Sequence, residues 1–127
     1  MKVSVITVTY NSAKTLKDTI DSVVAQDYPE IEYIIVDGNS SDGTQEIVKS
    51  YGHAVTQFVS ERDKGIYDAL NKGILMASGD IVALLHSDDV FHHSGVISRV
   101  VAEFQSHKMD LYIALQYLTS SHFRSPI

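Results

Sequence analysis

Two kinds of apolar pattern alternate along this chain and predict strands and helices in turn. Short runs of β-branched and other apolar residues are typical of buried strands, whereas apolar residues that recur every three or four positions are typical of amphipathic helices. The predicted strands span residues 3–9, 33–36, 55–60, 81–85 and 111–115, and the predicted helices span residues 16–24, 44–51, 66–77 and 96–104. Strands that alternate with helices over short connections predict an α/β fold, with a mostly parallel sheet flanked by helices.

Polar clusters follow three of the predicted strands. They are Tyr10-Asn11, Asp37-Gly38-Asn39 and Ser87-Asp88-Asp89. Ligands of open parallel sheets bind outside the carboxyl ends of the strands, so we expect these clusters to meet at one edge of the sheet and to share a ligand. Asn11 and Ser12 also precede the first predicted helix, and both residue types are common helix N-caps.

The adjacent carboxylates of Asp88 and Asp89 are candidates for a metal site. Their negative charges repel one another, and a hard divalent cation would reconcile them, because Mg²⁺ and Mn²⁺ prefer carboxylate and phosphate oxygens. The competing interpretation is that Asp89 caps the following helix while Asp88 is solvated. His86 precedes the pair, and it either contacts a phosphate or is a packed or solvated imidazole.

Candidates for contacts with a nucleotide base lie at the ends of the first two strands. The carboxylate of Asp37 either accepts a hydrogen bond from the ring N–H of a base such as uracil or closes an Asx turn. The ring of Tyr10 either stacks on a base or packs at the end of its strand. Both alternatives remain open for both residues at the level of sequence.

A run of alternating charges, residues 61–65, leaves the third predicted strand and enters a helix. Arg62 or Lys64 would reach a diphosphate, or the run is a solvated loop. Asp68 and Asn71 lie about one turn apart on the helix, where they face either a sugar hydroxyl or water.

Composition narrows the classes of ligand. The net charge of −6 argues against a nucleic-acid binder with a broad basic face. Because cations are few, an anionic ligand would need backbone N–H groups or a bound metal. The absence of cysteine excludes disulfides and Cys-ligated metals. The sequence also lacks the glycine-rich motifs of dinucleotide-binding Rossmann domains and P-loop NTPases.

Four segments resemble the inverting family 2 glycosyltransferases of the GT-A fold. Three are VSVITVTYN (residues 3–11), IVDGNSSDGT (35–44) and LLHSDD (84–89); the fourth, SERDKGIYDALNKGI (60–74), is similar to bacterial members that build surface polysaccharides. The resemblance covers about residues 1–110. It implies a Rossmann-like GT-A fold whose residues 1–115 bind a nucleotide-sugar donor, followed by a tail, 116–127, that does not match the family.

The resemblance also implies roles for individual residues. Tyr10 and Asp37 would hold the base, with a backbone contact from Val8. Asp89 would ligate a Mg²⁺ or Mn²⁺ ion directly, and Asp88 would lie near the ribose, the sugar and the metal. Many relatives carry Asn at the position of His86, so this histidine departs from the family pattern and would alter the phosphate or sugar contacts.

The implied reaction is metal-assisted transfer of a sugar, with inversion, from a donor such as a UDP-sugar to a saccharide or lipid-linked acceptor. Family members usually have at least twice this length, and their second half supplies the acceptor site and the general base. Residues 110–127 do not match that half, so we expect a chain truncated to the donor-binding half, with the catalytic base unknown. The alternative is a non-catalytic nucleotide-binding module. We expect a cytoplasmic location, with peripheral contact to the inner face of the membrane, and self-association through surfaces left uncovered.

Overall fold

A computed structural model describes residues 1–107 of the chain. Within these residues lie the strands β1 (Val3–Thr9), β2 (Ile31–Asp37), β3 (Gln57–Ser60) and β4 (Ile81–Leu84) and the helices α1 (Leu16–Val24), α2 (Thr44–Ser50), α3 (Ile66–Met76) and α4 (Val96–His107), with a 3₁₀ turn over Gly52–Ala54 after α2. The predicted fifth strand and the predicted domain boundary at residue 115 lie outside the described residues. No helix in the described part is long and apolar enough to cross a bilayer.

The strands form a parallel sheet in the order β3-β2-β1-β4. β1 pairs with β2 along its whole length, ending with Thr9 opposite Asp37, and its other edge pairs with β4. The chain therefore builds outward from β1 to β3 and then crosses back to place β4 on the far side of β1. This reversal is a topological switch point, which opens a crevice between the loops that follow β1 and β4.

Helices cover both faces of the sheet, which is why its central strands are almost continuously apolar. On one face, α1, α2 and α4 contribute Leu16, Val48 and Ile97 to the larger core cluster. On the other face, α3 packs against β1 and β2. Its backbone approaches closely because Gly73 faces Ile6, and a Cβ on Gly73 would lie 2.5 Å from Ile6 Cγ2.

The predicted α/β class is confirmed, and the predicted bounds of β1 and α1 agree with the structure. The third strand begins at Gln57, two residues later than predicted, because Val55 and Thr56 form a bend between the 3₁₀ turn, which ends at Ala54, and the strand. The expected helix N-cap was wrong. Thr15 is the cap residue of α1 and makes no side-chain capping bond, while Asn11 and Ser12 hold other loops, as described next.

Candidate functional site

The crevice at the switch point is a pocket of about 840 Å³, a size typical of small-molecule sites. It lies at the carboxyl ends of the strands, and α3 contributes to its wall. All three polar clusters predicted from the sequence contribute to it, together with the charged segment 61–65. The residues that line it are Val8, Thr9, Tyr10, Ser12, Gly38, Arg62, Asp63, Gly65, Ile66, Ala69, His86, Ser87 and Asp88.

The loop after β1 presents an aromatic ring to this pocket and is tied to both neighbouring loops. The side chain of Tyr10 is 65% exposed, so it does not pack at the strand end. Asn11 adopts a left-handed conformation (φ 47°), and its Oδ1 accepts a hydrogen bond from the backbone N–H of Ser41 at 2.9 Å. The hydroxyls of Ser12 and Ser87 are 2.9 Å apart. These bonds fix the Tyr10 backbone relative to the β2 and β4 loops.

Asp37 lies beneath the pocket and does not line it. Its residue is fully buried, and Oδ2 accepts hydrogen bonds from the Ser40 backbone N–H at 2.8 Å and from the Ser60 hydroxyl at 2.7 Å. Oδ1 accepts the Ser40 hydroxyl at 2.5 Å. The turn alternative therefore describes Asp37 in this structure. The base contact implied for Asp37 stays a prediction, and in this structure the carboxylate is shielded and already hydrogen-bonded.

The charged segment 61–65 places its residues differently. Arg62 and Asp63 line the pocket, whereas Lys64 and Asp68 are not among the lining residues. Asp68, in the first turn of α3, accepts a hydrogen bond from the backbone N–H of Lys64 at 2.9 Å. This reach-back bond resembles half of a capping box, so Asp68 holds the loop that presents Arg62 and Asp63.

The two adjacent aspartates after β4 also differ. Asp88 is exposed and lines the pocket. Asp89 is half-buried and is not among the lining residues; its backbone carbonyl accepts the Thr19 hydroxyl at 2.6 Å. The capping alternative for Asp89 was wrong, because α4 begins only at Val96.

Among residues 1–107, no group of three or more His, Asp or Glu side chains is arranged to hold a metal ion by itself. Mg²⁺ is usually held by one or two carboxylates, with substrate phosphates and water completing its coordination. The exposed carboxylate of Asp88 fits that donor set, and Asp89 is its nearest neighbour in the chain. The residues therefore fit a cation that arrives with a phosphate-bearing ligand.

Several lining residues were not singled out by the sequence reasoning. Gly38 and Asp63 were seen only as members of motifs, and Ser87 only as a member of its cluster. Thr9 also lines the pocket, and its Oγ1 is a buried polar atom without a hydrogen-bond partner among the described residues. The signal available for Asp63 was its position in a charged run after a strand, which does not reveal the direction of a side chain.

Comparisons with known proteins agree with this architecture. The family model described as glycosyl transferase family 2 matches residues 4–125. An uncharacterized glycosyltransferase of Mycobacterium tuberculosis is 41% identical over 100 residues, which is 78% of this chain and 38% of the relative. The chain thus spans less than half the length of that relative.

Solved structures of larger transferases share the fold. The S. aureus protein TarS, solved in complex with UDP-GlcNAc, superposes with a TM-score of 0.79 at 30% identity, over 85% of this chain and 32% of TarS. The mannosyltransferase PcManGT from Pyrobaculum calidifontis, solved with GDP-Man and Mn²⁺, gives a TM-score of 0.78 at 26% identity, over 91% of this chain and 38% of that protein. The GT-A fold expected from the sequence is thereby confirmed, and the chain belongs to glycosyl transferase family 2.

Proposed function

We propose that the pocket binds a nucleoside-diphosphate sugar, with UDP as the nucleotide, and that the chain provides the donor side of an inverting glycosyl transfer. The observation that carries the proposal is the convergence of three groups in one pocket. Tyr10 offers an exposed ring, Arg62 a guanidinium and Asp88 an exposed carboxylate. Such groups suit a base, a diphosphate and a metal-bound phosphate, respectively. The UDP-GlcNAc complex of TarS supports this choice of ligand.

Each residue of the site has its own role in binding the donor. Tyr10 stacks on the base and Val8 lies beside it. Arg62 contacts the diphosphate. Lys64 does not line the pocket, and its backbone N–H donates to Asp68, which holds that loop in place. Asp37 supports the site from beneath through Ser40 and Ser60. The neutral polar groups at the switch point complete the wall.

Asp88, assisted by Asp89, would hold a divalent ion in the same pocket. When bound, such an ion neutralises charge on the departing nucleoside diphosphate, and the Mn²⁺ complex of PcManGT supports Mn²⁺ or Mg²⁺ in this role. The net charge of −6 is a further reason to expect a bound cation, because the overall field of the protein does not attract a strongly anionic ligand.

The proposed chemistry is a direct displacement. The hydroxyl of a saccharide or lipid-linked acceptor attacks the anomeric carbon from the face opposite the nucleotide, the bond from that carbon to the diphosphate breaks, and a base removes the hydroxyl proton. The described residues supply donor contacts in this scheme, and the base stays unassigned. Because the chain spans 38% of a relative's length, transfer by this chain is itself part of the proposal.

Calorimetric titration of the 127-residue chain with UDP, with and without Mn²⁺, tests the site. We expect binding that Mn²⁺ strengthens. Tyr10→Ala should weaken it at least about fivefold, because stacking of a base on an aromatic ring contributes about 1–3 kcal/mol. The matched control is Tyr67→Ala, since Tyr67 is another exposed ring (79%) that does not line the pocket. Equal affinity in the wild type and Tyr10→Ala would refute the site.

A donor-hydrolysis and transfer assay separates the enzyme from the non-catalytic module. Release of UDP from a UDP-sugar, or transfer to an added saccharide, supports the transferase. Tight binding of UDP with neither reaction supports the module, and it would limit this chain to donor capture.

A further inference from the structure

We propose that Asp63 is the residue that distinguishes nucleotide bases in this pocket, by accepting the ring N–H of uracil at its Oδ2 atom. The inference rests on the proposed function, because it names the base-reading group of the same site. It transfers to Asp63 the role that the sequence motif suggested for Asp37. The carboxylate of Asp63 lies beside Gly38, the glycine that follows β2.

Gly38 marks the place where three parts of the chain meet. A Cβ built on this glycine would lie 3.0 Å from Asp63 Oδ2 and 3.2 Å from Tyr10 Cδ1. The carboxylate of Asp63 and the ring of Tyr10 therefore flank the same small space. All three residues line the pocket, so a base stacked on Tyr10 would present its polar edge beside Asp63.

The carboxylate of Asp63 is held in position with one oxygen in use and one available. Oδ1 accepts a hydrogen bond from the backbone N–H of Gly65 at 3.0 Å. Gly65 is the N-cap residue of α3 and adopts a positive φ of 115°, a conformation that glycine reaches without strain. Among the described residues, no hydrogen-bond donor is found for Oδ2. The bond to Oδ1 thus fixes the carboxylate of Asp63, and Oδ2 can still accept a hydrogen bond from a ligand.

Asp37 differs on both points. It is fully buried, and each of its oxygens accepts at least one hydrogen bond from Ser40 or Ser60. A base could reach it only if those bonds broke, which would leave buried donors without partners. Of Asp37 and Asp63, it is Asp63 whose carboxylate remains available to a base.

A carboxylate at this place has a definite preference among bases. An ionised carboxylate can only accept hydrogen bonds. Uracil offers an N–H at ring position 3, and guanine offers an N–H at ring position 1, whereas cytosine has a lone pair at ring position 3. Asp63 should therefore favour UDP or GDP and disfavour CDP.

Calorimetric titrations with UDP, GDP and CDP test this inference. For the wild-type chain we expect UDP to bind at least about tenfold more tightly than CDP, the effect of one hydrogen bond to a charged group. Asp63→Asn should reduce the ratio of the CDP to the UDP dissociation constant to about threefold or less, because an amide can donate to cytosine. Asn also retains an oxygen for the Gly65 N–H, and a thermal melt verifies that the variant is folded. Asp63→Ala is a second variant with the same expected loss of the ratio.

Two controls address a merely structural role. Glu61→Gln neutralises an exposed carboxylate in the same segment that pairs with Lys72 and lies outside the pocket, so the ratio should stay at its wild-type value. Asp37→Asn, in the support beneath the site, should lower the melting temperature more than either Asp63 variant does, because Asp37 is buried and accepts three hydrogen bonds. A wild-type ratio retained in both Asp63 variants, or lost in Asp37→Asn alone, would overturn the inference. If UDP, GDP and CDP all fail to bind, the proposed function itself is wrong, and that outcome is distinct from an unchanged ratio.

Discussion

The two ends of the parallel sheet hold their buried carboxylates in different environments. At the amino-terminal end, the Glu32 carboxylate accepts hydrogen bonds from the Ser4 hydroxyl at 2.7 Å and from the Ser78 N–H and hydroxyl, both at 2.9 Å. The Lys2 ammonium lies 3.6 Å away. At the carboxyl end, Asp37 is equally enclosed, but the carboxylates above it retain oxygens that face a pocket.

The polar groups at the amino-terminal end stabilise the fold, whereas those at the carboxyl end form a binding site. Around Glu32, the partners are Ser4 in β1, Lys2 directly before β1 and Ser78 in the turn that enters β4, so the network joins β1, β2 and β4. At the other end, the hydrogen bonds tie the loops to one another, and Asp63 and Asp88 are left facing the pocket. Unpaired acceptors are tolerated there because solvent or a ligand reaches them.

Glycines show the same contrast. At the amino-terminal end, a Cβ on Gly79 would lie 2.8 Å from the backbone N of Ser4 and 2.8 Å from the backbone O of Lys2. At the carboxyl end, the atoms that a Cβ on Gly38 would approach belong to the side chains of Asp63 and Tyr10. Backbone in a paired strand cannot move aside, whereas side chains at a pocket can.

The largest effect on stability is expected from Glu32→Gln. Burial alone would raise the pKa of Glu32, but hydrogen bonds from Ser78 and Ser4 and the charge of Lys2 lower this pKa to about 2. Because the folded pKa lies below the unfolded value of 4.5, the carboxylate contributes about 3 kcal/mol above pH 4.5. That contribution is lost as the pH falls from 4.5 toward 2. Urea unfolding between pH 2 and 7 should show Glu32→Gln to be less stable at pH 7 by about this amount, with a weaker pH dependence.

Glu30→Gln is the matched control for Glu32→Gln. Its side chain is mostly exposed and lies 3.9 Å from the terminal ammonium group of Met1, so the change should stay within about 0.5 kcal/mol of wild type. Equal losses in the two variants would show that the Glu32 network does not close this end of the sheet.

The next effect is expected from Gly79→Ala, which should reduce the free energy of unfolding by about 2 kcal/mol, as overpacking typically does. The new methyl group would also press on Ser4 Oγ, 2.6 Å away, and disturb its bond to Glu32. Binding of UDP should be unchanged in the folded protein. Gly95→Ala serves as the control, since its nearest neighbour would be at an ordinary 3.4 Å. If chemical unfolding finds Gly79→Ala and Gly95→Ala equally stable, then the backbone of Lys2 and Ser4 does move aside for the new methyl group.

At the carboxyl end of the sheet, called the open end here because the pocket lies there, we expect Asp88→Asn to change ligand binding and not stability. The amino-terminal end is correspondingly the closed end. If Asp88 holds a cation against the phosphates, Mn²⁺ should strengthen UDP binding by the wild-type chain, and the variant should lose about tenfold of that gain. Its unfolding free energy should be close to wild type, because Asp88 is exposed. Asp80→Asn, at the amino-terminal end, should retain the full Mn²⁺ effect. If calorimetry shows that Mn²⁺ strengthens UDP binding equally in the wild type, Asp88→Asn and Asp80→Asn, then Asp88 does not hold the cation.

The sequence predicted those features of the fold that depend on periodic burial. β1 could be located at Val3–Thr9 because both its faces are buried, and α1 because its apolar stripe is regular. The chemistry-bearing strand ends were also placed correctly at one edge, since this follows from the parallel topology alone.

What the sequence did not predict depends on contacts between distant residues. Asp37 is shielded from the pocket because the Ser60 hydroxyl, 23 positions away, reaches its carboxylate. Asp63 lies beside Gly38 and Tyr10, which are 25 and 53 positions earlier in the chain. The network of Glu32 was missed because the second strand was predicted to begin at residue 33, whereas β2 begins at Ile31 and includes Glu32. Asn11 and Ser12 were expected to cap a helix and instead bind other loops.

The smallest effect is expected from Gly38→Ala, the counterpart of Gly79→Ala at the open end. The side chains of Asp63 and Tyr10 can each move by a few tenths of an ångström, so the unfolding free energy should change by less than about 1 kcal/mol. The methyl group nevertheless occupies the space between the stacking ring and the base-reading oxygen. UDP should therefore bind about threefold more weakly, and the preference for UDP over CDP should narrow. Calorimetry and urea unfolding of the same preparation measure both quantities. A loss of stability as large as that of Gly79→Ala would mean that the open end is as rigid as the closed one, and undiminished UDP affinity would mean that the base does not lie beside Gly38.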